Sequence, residues 1–309
     1  MGDTFKTYEA IGRREDLSEI VTSIAPVDAL FYNAIGSVDV KNTKHEWMTD
    51  TLAAAASNAA VEAADATTAT QVPTTRLYNM TQILQNTFQI SGSNEVAISA
   101  GNVTKEDYLT AKNMKQLMKD VEYAYLLGVR ADGDATTART MRGALNWTTT
   151  NLDKASDATL AASGAVTGGT ARPLTLAMIK GVMQDIFDAG GDPTKVFCGS
   201  FQATQFTSFA NTNNYRQMVE AGKLNDYVDV YANEFGKLEV IPHRIMSVSK
   251  ADVVFIADME YFKKGTYRPI GKQKLSKTGD SDKFQILGEL TLESRAENAS
   301  GRITNLDAS

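Results

Sequence analysis

The arrangement in this chain that comes nearest to a catalytic one is Ser247-Val-Ser-Lys250 followed by Lys277-Thr278-Gly279. SxxK and KTG are two of the motifs of serine β-lactamases, in which the serine is the nucleophile. The context argues against that chemistry. There SxxK opens a helix far upstream of KTG, whereas here it joins two predicted strands about thirty residues before it with no SDN between, so chance explains the pairing better. The 2 histidines, His45 and His243, stand among strand-forming residues. Neither has an HExxH pattern or a cluster of further ligands beside it, and both are expected to be surface or packing groups. Asp132-Gly133-Asp134 begins like a calcium loop, but Thr136 occupies the third oxygen-rich position and no glutamate ends the loop; a solvated turn is expected. The single cysteine, Cys198 in KVFCGS, excludes an internal disulfide and any CxxC site, and reads as a buried thiol. GxGxxG and GxxxxGK[ST] are both absent, so no cofactor is expected. Glu289, Glu293 and Glu297 with Arg295 make a charged group near the C-terminus. On a strand Glu289 and Glu293 share one side, where they would either pair with basic groups across an interface or face solvent.

A chain of 309 residues suits one large domain or two intimate ones. Its 43% hydrophobic and 22% charged residues are ordinary for a globular protein. The net charge of −6 provides no basic stripe for tight nucleic-acid binding. No apolar run approaches the ~20 residues of a membrane helix. The N-terminal residues lack the apolar core of a signal peptide, and Lys6 stands where a myristoylation motif needs Ser or Thr; a cytoplasmic protein is expected.

The elements that must carry these residues follow from periodicity. Leu17, Ile20, Val21 and Ile24 fit one amphipathic turn before Pro26 in an arm of residues 1–45. Residues 46–103 read as a long hairpin. An outgoing strand leads to a bland tip, AAAASNAAVEAADATTATQVPT, with Val61 and Val72 as its large side chains, and TQILQNTFQISGS lies on the return. From Thr104 the period changes to that of a helix capped by Thr104 and Asp107 and closed at Gly128. Its stripe is Tyr108, Ala111, Met114, Met118, Val121 and Tyr125, and its length is about 35 Å. A loop-rich span follows, anchored by Leu145 and Trp147. Next come a helix with Leu176, Ile179, Met183, Ile186 and Phe187 on one face, the strand PTKVFCGS, and a helix capped by Ser200. A hairpin turning at residues 233–236, the buried strand ADVVFIADMEYF, the strand FQILGELTLESRAE with Phe284, Ile286, Leu290 and Leu292 on one side, and a short terminal strand RITNL complete an α+β chain.

This order resembles the Hong Kong 97 major capsid fold of tailed bacteriophages. Stretches such as TYEAIGRREDLSEIVTSIAPVDALFYNAIG, KHEWMTDTLAAA, YNMTQI, MKQLMKDVEYAYLLG, RTMRGALNW, LEVIPHRI and LSKTGDSDKFQILGELTLESRAENASGRI are similar to those of a group of phage head proteins within that fold. The resemblance implies a major head subunit, not an enzyme, that forms the hexamers and pentamers of an icosahedral shell around double-stranded DNA. It implies an arm (1–45) on a neighbour, an extended loop (46–103) over the next subunit, and a peripheral domain begun by the spine helix (104–139) and completed by return strands (261–309). Residues 140–260 are mainly an axial domain. Implied partners are further copies of the chain, a portal, scaffolding or decoration proteins, and packaged DNA held by weak non-specific contact, with no membrane. The implied location is the virion, assembled in the host cytoplasm. Candidates for contact between subunits are Trp47, Val61, Val72, Arg76, Glu289, Glu293 and Arg295. The fold's namesake joins its subunits by lysine–asparagine bonds from this loop. Here no lysine lies between Glu46 and Val103, and contacts are expected to be non-covalent. An encapsulin-like nanocompartment and a serine hydrolase using Ser247 and Lys250 are the alternatives.

Overall fold

The computed structural model describes residues 29–57, 59, 61–63, 65, 73–96, 105–212, 230–277 and 279–308. The turn expected over 17–24, Val72 and the Thr104 cap lie outside them. The described chain starts with helix α1 (Leu30–Ala34) and strand β1 (Gly36–Asp39), then runs out along β2 (Lys44–Thr49) and back along β3 (Thr75–Met80). Strand β4 (Gln82–Ser91) and the short helix α2 (Gly92–Val96) precede α3 (Lys105–Leu127), the expected spine, whose 23 residues contain no glycine or proline. A loop-rich stretch holds α4 (Ala144–Trp147) and the short strands β5 (Leu152–Asp153), β6 (Thr159–Leu160) and β7 (Val166–Thr167). Then come α5 (Leu176–Asp188), β8 (Lys195–Cys198), α6 (Ser200–Thr212), β9 (Val230–Asn233), β10 (Gly236–Pro242), α7 (Arg244–Ser249) and β11 (Val254–Ala257). The long strands β12 (Phe262–Lys274) and β13 (Ser281–Ser294) and the short β14 (Gly301–Ile303) follow. Among the described residues no helix is long and apolar enough to cross a membrane.

Two sheets organise the body. One has the order β1-β12-β13-β4, parallel only between β1 and β12. The other, β5-β14-β11-β8-β10-β9, is mixed. At its centre β8 and β11 are covered on both sides. Val196, Cys198, Val254 and Ile256 enter a core with Ile179, Met183 and Ile186 of α5, while Phe197 and Phe255 enter a second core with Phe31, Tyr125 and Phe262. Strands buried on both faces read as unbroken apolar runs, which is why both were recognisable in the sequence. Helix α5 is closed at each end by its own chemistry. The Thr175 hydroxyl accepts the Met178 N–H, and Gly190, at φ +86°, lets the N–H groups of Gly190 and Gly191 reach the carbonyls of Phe187 and Ile186.

Several expectations need correction. The return arm of the hairpin is β3, paired with β2 from Lys44↔Met80 to Thr49↔Thr75. Strand β4, taken from sequence for that arm, instead pairs with β13, where Phe88 and Phe284 stack at 5.3 Å. The buried line of α3 runs through Leu117, Val121, Ala124 and Tyr125, leaving Met118 half-buried and Tyr108 and Ala111 exposed. The N-terminal half of the helix is covered less than its C-terminal half, so steps counted from Tyr108 start on the wrong line. Phe187 of α5 is exposed and leans on the Phe235 ring. Strand β14 belongs with β11 and β5 in the six-stranded sheet rather than with the return strands β12 and β13. The N-terminus of α6 is capped by the hydroxyl of Ser247, which accepts the Ser200 N–H at 2.8 Å, and not by the Ser200 side chain.

Candidate assembly interface

The β2–β3 hairpin is fastened at its base, and none of the described residues of its tip enters either core. Trp47, buried, donates its indole N–H to the Ser294 carbonyl at 2.9 Å and packs against Trp147 with ring centres 5.5 Å apart. His45 Nε2 lies 2.8 Å from Glu293 Oε2. These contacts hold the base against β13. Beyond Thr49 the described residues of the tip join no sheet or helix, and Met48, Leu52 and Val61 are exposed by 71%, 100% and 81%. Large apolar side chains left in water on one segment are candidates for contact with another chain. Arg76 is exposed and sits 3.5 Å from Glu46, which also pairs with Lys44. Exposed pairs of this kind contribute little to stability.

The structure relocates three of the other candidates. Trp47, Glu289 and Glu293 are interior groups of the single chain, buried on its own contacts. Glu289 accepts from the Thr81 hydroxyl at 2.6 Å, from Arg268 Nε at 2.8 Å and from Arg139. Burial alone would raise its carboxyl, but these hydrogen bonds outweigh burial and hold it below the usual carboxylate range. Glu293 behaves in the same way: the cost of burial is overcome by His45 and by Arg295, whose Nε donates to Oε1 at 2.7 Å. Arg295 itself is half-exposed. From Gly288 onward both faces of β13 are covered, because the base of the hairpin lies over the side that carries the glutamates. Alternation alone could not show this, since the partners Arg139 and His45 lie 150 and 248 residues away.

A buried pair was missed altogether. Glu122 in α3 and His243 at the start of α7 are fully buried, with His243 Nε2 at 2.9 Å from Glu122 Oε1. The same carboxylate accepts the N–H groups of Phe31 at 2.7 Å and Tyr32 at 2.9 Å, which the first turn of α1 leaves without helical partners. His243 Nδ1 accepts from the Met246 N–H and so caps α7, which places the ring proton on Nε2, facing Glu122. Three elements distant in sequence thus meet at one carboxylate. The available signal was Glu122 as the lone charge in the apolar run VEYAYLL.

The chemical candidates prove to be structural. The Ser247 hydroxyl donates to the His243 carbonyl as well as capping α6, and Lys277 pairs with Asp282. Burial pushes the Cys198 thiol up to about 12, far from a reactive thiolate. The Asp134 carboxylate is held down at about 2 by the N–H groups of Thr136 and Thr137 and by their hydroxyls, closing a turn on itself. No metal-binding group of three acidic, histidine or cysteine side chains occurs among the described residues.

What remains as a candidate surface is the exposed, described part of the β2–β3 tip. The major capsid protein of Escherichia phage Phieco32 is 24% identical over 343 residues, covering 96% of this chain and 95% of that one. Among solved structures, the fold is similar to a chain of the cyanophage A-1(L) capsid, with TM-score 0.69, 13% identity and coverage of 97% and 98%. The capsid of Myoviridae phage XM1 gives TM-score 0.64 at 13% identity, covering 99% of this chain and 100% of that one. The Hong Kong 97-like α+β architecture expected from the sequence is therefore the fold observed, and neither the nanocompartment nor the hydrolase alternative is retained. Residues 1–307 match the family described as the SU10 major capsid protein, and the chain belongs to that family of phage shell subunits.

Proposed function

We propose that this major capsid protein builds an icosahedral head from hexamers and pentamers held by non-covalent contacts, with double-stranded DNA inside. Of the arm (1–45) and extended loop (46–103) implied by the resemblance, α1 and β1 pack into the subunit's own body and β4 into its own sheet, which leaves the β2–β3 hairpin as the segment that overlaps a neighbour. Residues 104–139 and the strands of 261–309 other than β14 form the peripheral part, and 140–260 close each ring as the axial part. The observation that carries this reading is the β2–β3 hairpin, anchored through Trp47 and His45 yet exposing Met48, Leu52 and Val61 beyond the body. An acidic subunit with net charge −6 would hold packaged DNA only weakly, which suits filling and release. Assembly takes place in the host cytoplasm, with a portal and scaffolding or decoration proteins as further partners, and the role is structural rather than enzymatic. Electron microscopy of the purified chain tests this directly. Closed shells or capsomer rings are expected; a field of isolated subunits at micromolar concentration would contradict it.

A further inference from the structure

A cavity of about 270 Å³ lies between the end of α3, α4, β7 and β14, lined among others by Leu127, Asn146, Lys250, Asp252, Arg302 and Asn305. Arg302 is only 3% exposed. Its Nη2 donates to the Gly164 carbonyl at 2.5 Å, and its Nε finds no acceptor among the described residues. Burial, with repulsion from Arg142 added, lowers the guanidinium only to about 10, so it remains charged at neutral pH. Glu297, whose charge reaches both arginines, is itself bonded to Thr149 and Thr150. A buried cation without a directly bonded counter-charge is costly, and such a site favours an anion brought from outside. Lys250, exposed, also lines the cavity. Asp252, half-buried there, has no ion-pair partner among the described residues.

We propose that this cavity binds a protonated oxyanion of the hydrogen phosphate class, with Arg302 and Lys250 facing its bare oxygens and the Asp252 carboxylate accepting its P–OH. The guanidinium fork suits two oxygens of a tetrahedral anion. The volume holds such an ion with several waters, each taking about 30 Å³. Asp252 sets the selectivity: sulfate at neutral pH has no proton to donate and meets the carboxylate as a like charge.

The test is thermal denaturation of the full-length protein in phosphate, sulfate or chloride at matched ionic strength, because a ligand bound only by the folded state raises the transition in a saturable way. Phosphate is expected to raise the transition by several degrees with saturation, and sulfate to give no saturable shift. Lys250→Gln should weaken the phosphate response about tenfold in apparent affinity. Asp252→Asn should admit sulfate and erase the discrimination. Both substitutions lie at the rim rather than in the core, so folding is preserved and the two arms can be read. Phosphate and sulfate acting alike on the unmodified chain, or a phosphate response unchanged in both variants, would overturn the proposal and leave a cavity filled by water.

Discussion

Glu122→Ala is expected to remove the folded subunit from the soluble fraction. The substitution deletes the acceptor of the Phe31 and Tyr32 N–H groups and of His243 Nε2, all within 2.9 Å of the carboxylate, with the Phe31 and His243 bonds fully buried and the Tyr32 bond half-buried. It leaves three donors without partners at a junction of α1, α3 and α7. Removing one partner of a buried pair costs about 3–5 kcal/mol. That is a large part of the ~5–15 kcal/mol that separates a typical domain from its unfolded state. Glu122→Gln keeps one oxygen but turns an NH₂ group toward other donors, and should fall between the variant and the unmodified chain. The soluble yield and circular dichroism of the three proteins check the ordering. An alanine variant that folds and assembles normally would show that the junction is held by its apolar neighbours alone.

The next largest effect is expected at Leu117, and it separates two placements of the spine helix. Leu117 is fully buried in the core that includes Val121, Tyr125 and Leu292, whereas Met118 is half-buried at its edge. Leu117→Asp places an unpaired carboxylate in that core, at about 3–5 kcal/mol. Met118→Asp can turn its carboxylate toward solvent and should cost about 1 kcal/mol, in the ordinary range for a partly exposed site. Urea midpoints of the two variants, measured on dissociated subunits, give the comparison. Equal losses, or a larger loss at Met118, would restore the stripe drawn through Tyr108, Met114 and Met118.

What could be read from the sequence and what could not divide along physical lines. Helices α3 and α5, the β9–β10 hairpin and the apolar strands β8 and β11 show their period or composition within a few residues, so local pattern found them. Strand pairing is not local. Strand β4 alternates as the return arm of a hairpin would, and only the match of Phe88 to Phe284 shows that its partner is β13. Buried charge is not local either. Glu289 and Glu293 look solvated until Arg139, Arg268 and His45 are seen to converge on them, and Glu122 depends on His243, 121 residues away. The exposed tip was the best guide to function because its signal is a local lack: small side chains, no lysine, and too little apolar bulk to build a core.

If this loop ties subunits together, removing residues 53–74 should lower the mass seen by light scattering at micromolar concentration relative to the intact chain. The described tip residues contribute nothing to either core, so the shortened protein should keep the circular dichroism of the folded body. The intact chain is expected at shell or capsomer mass, and the shortened chain at no more than isolated rings or single subunits of about 31 kDa, reckoned from 33.5 kDa for the whole. Shells of unchanged mass and stability from the shortened chain would contradict the account.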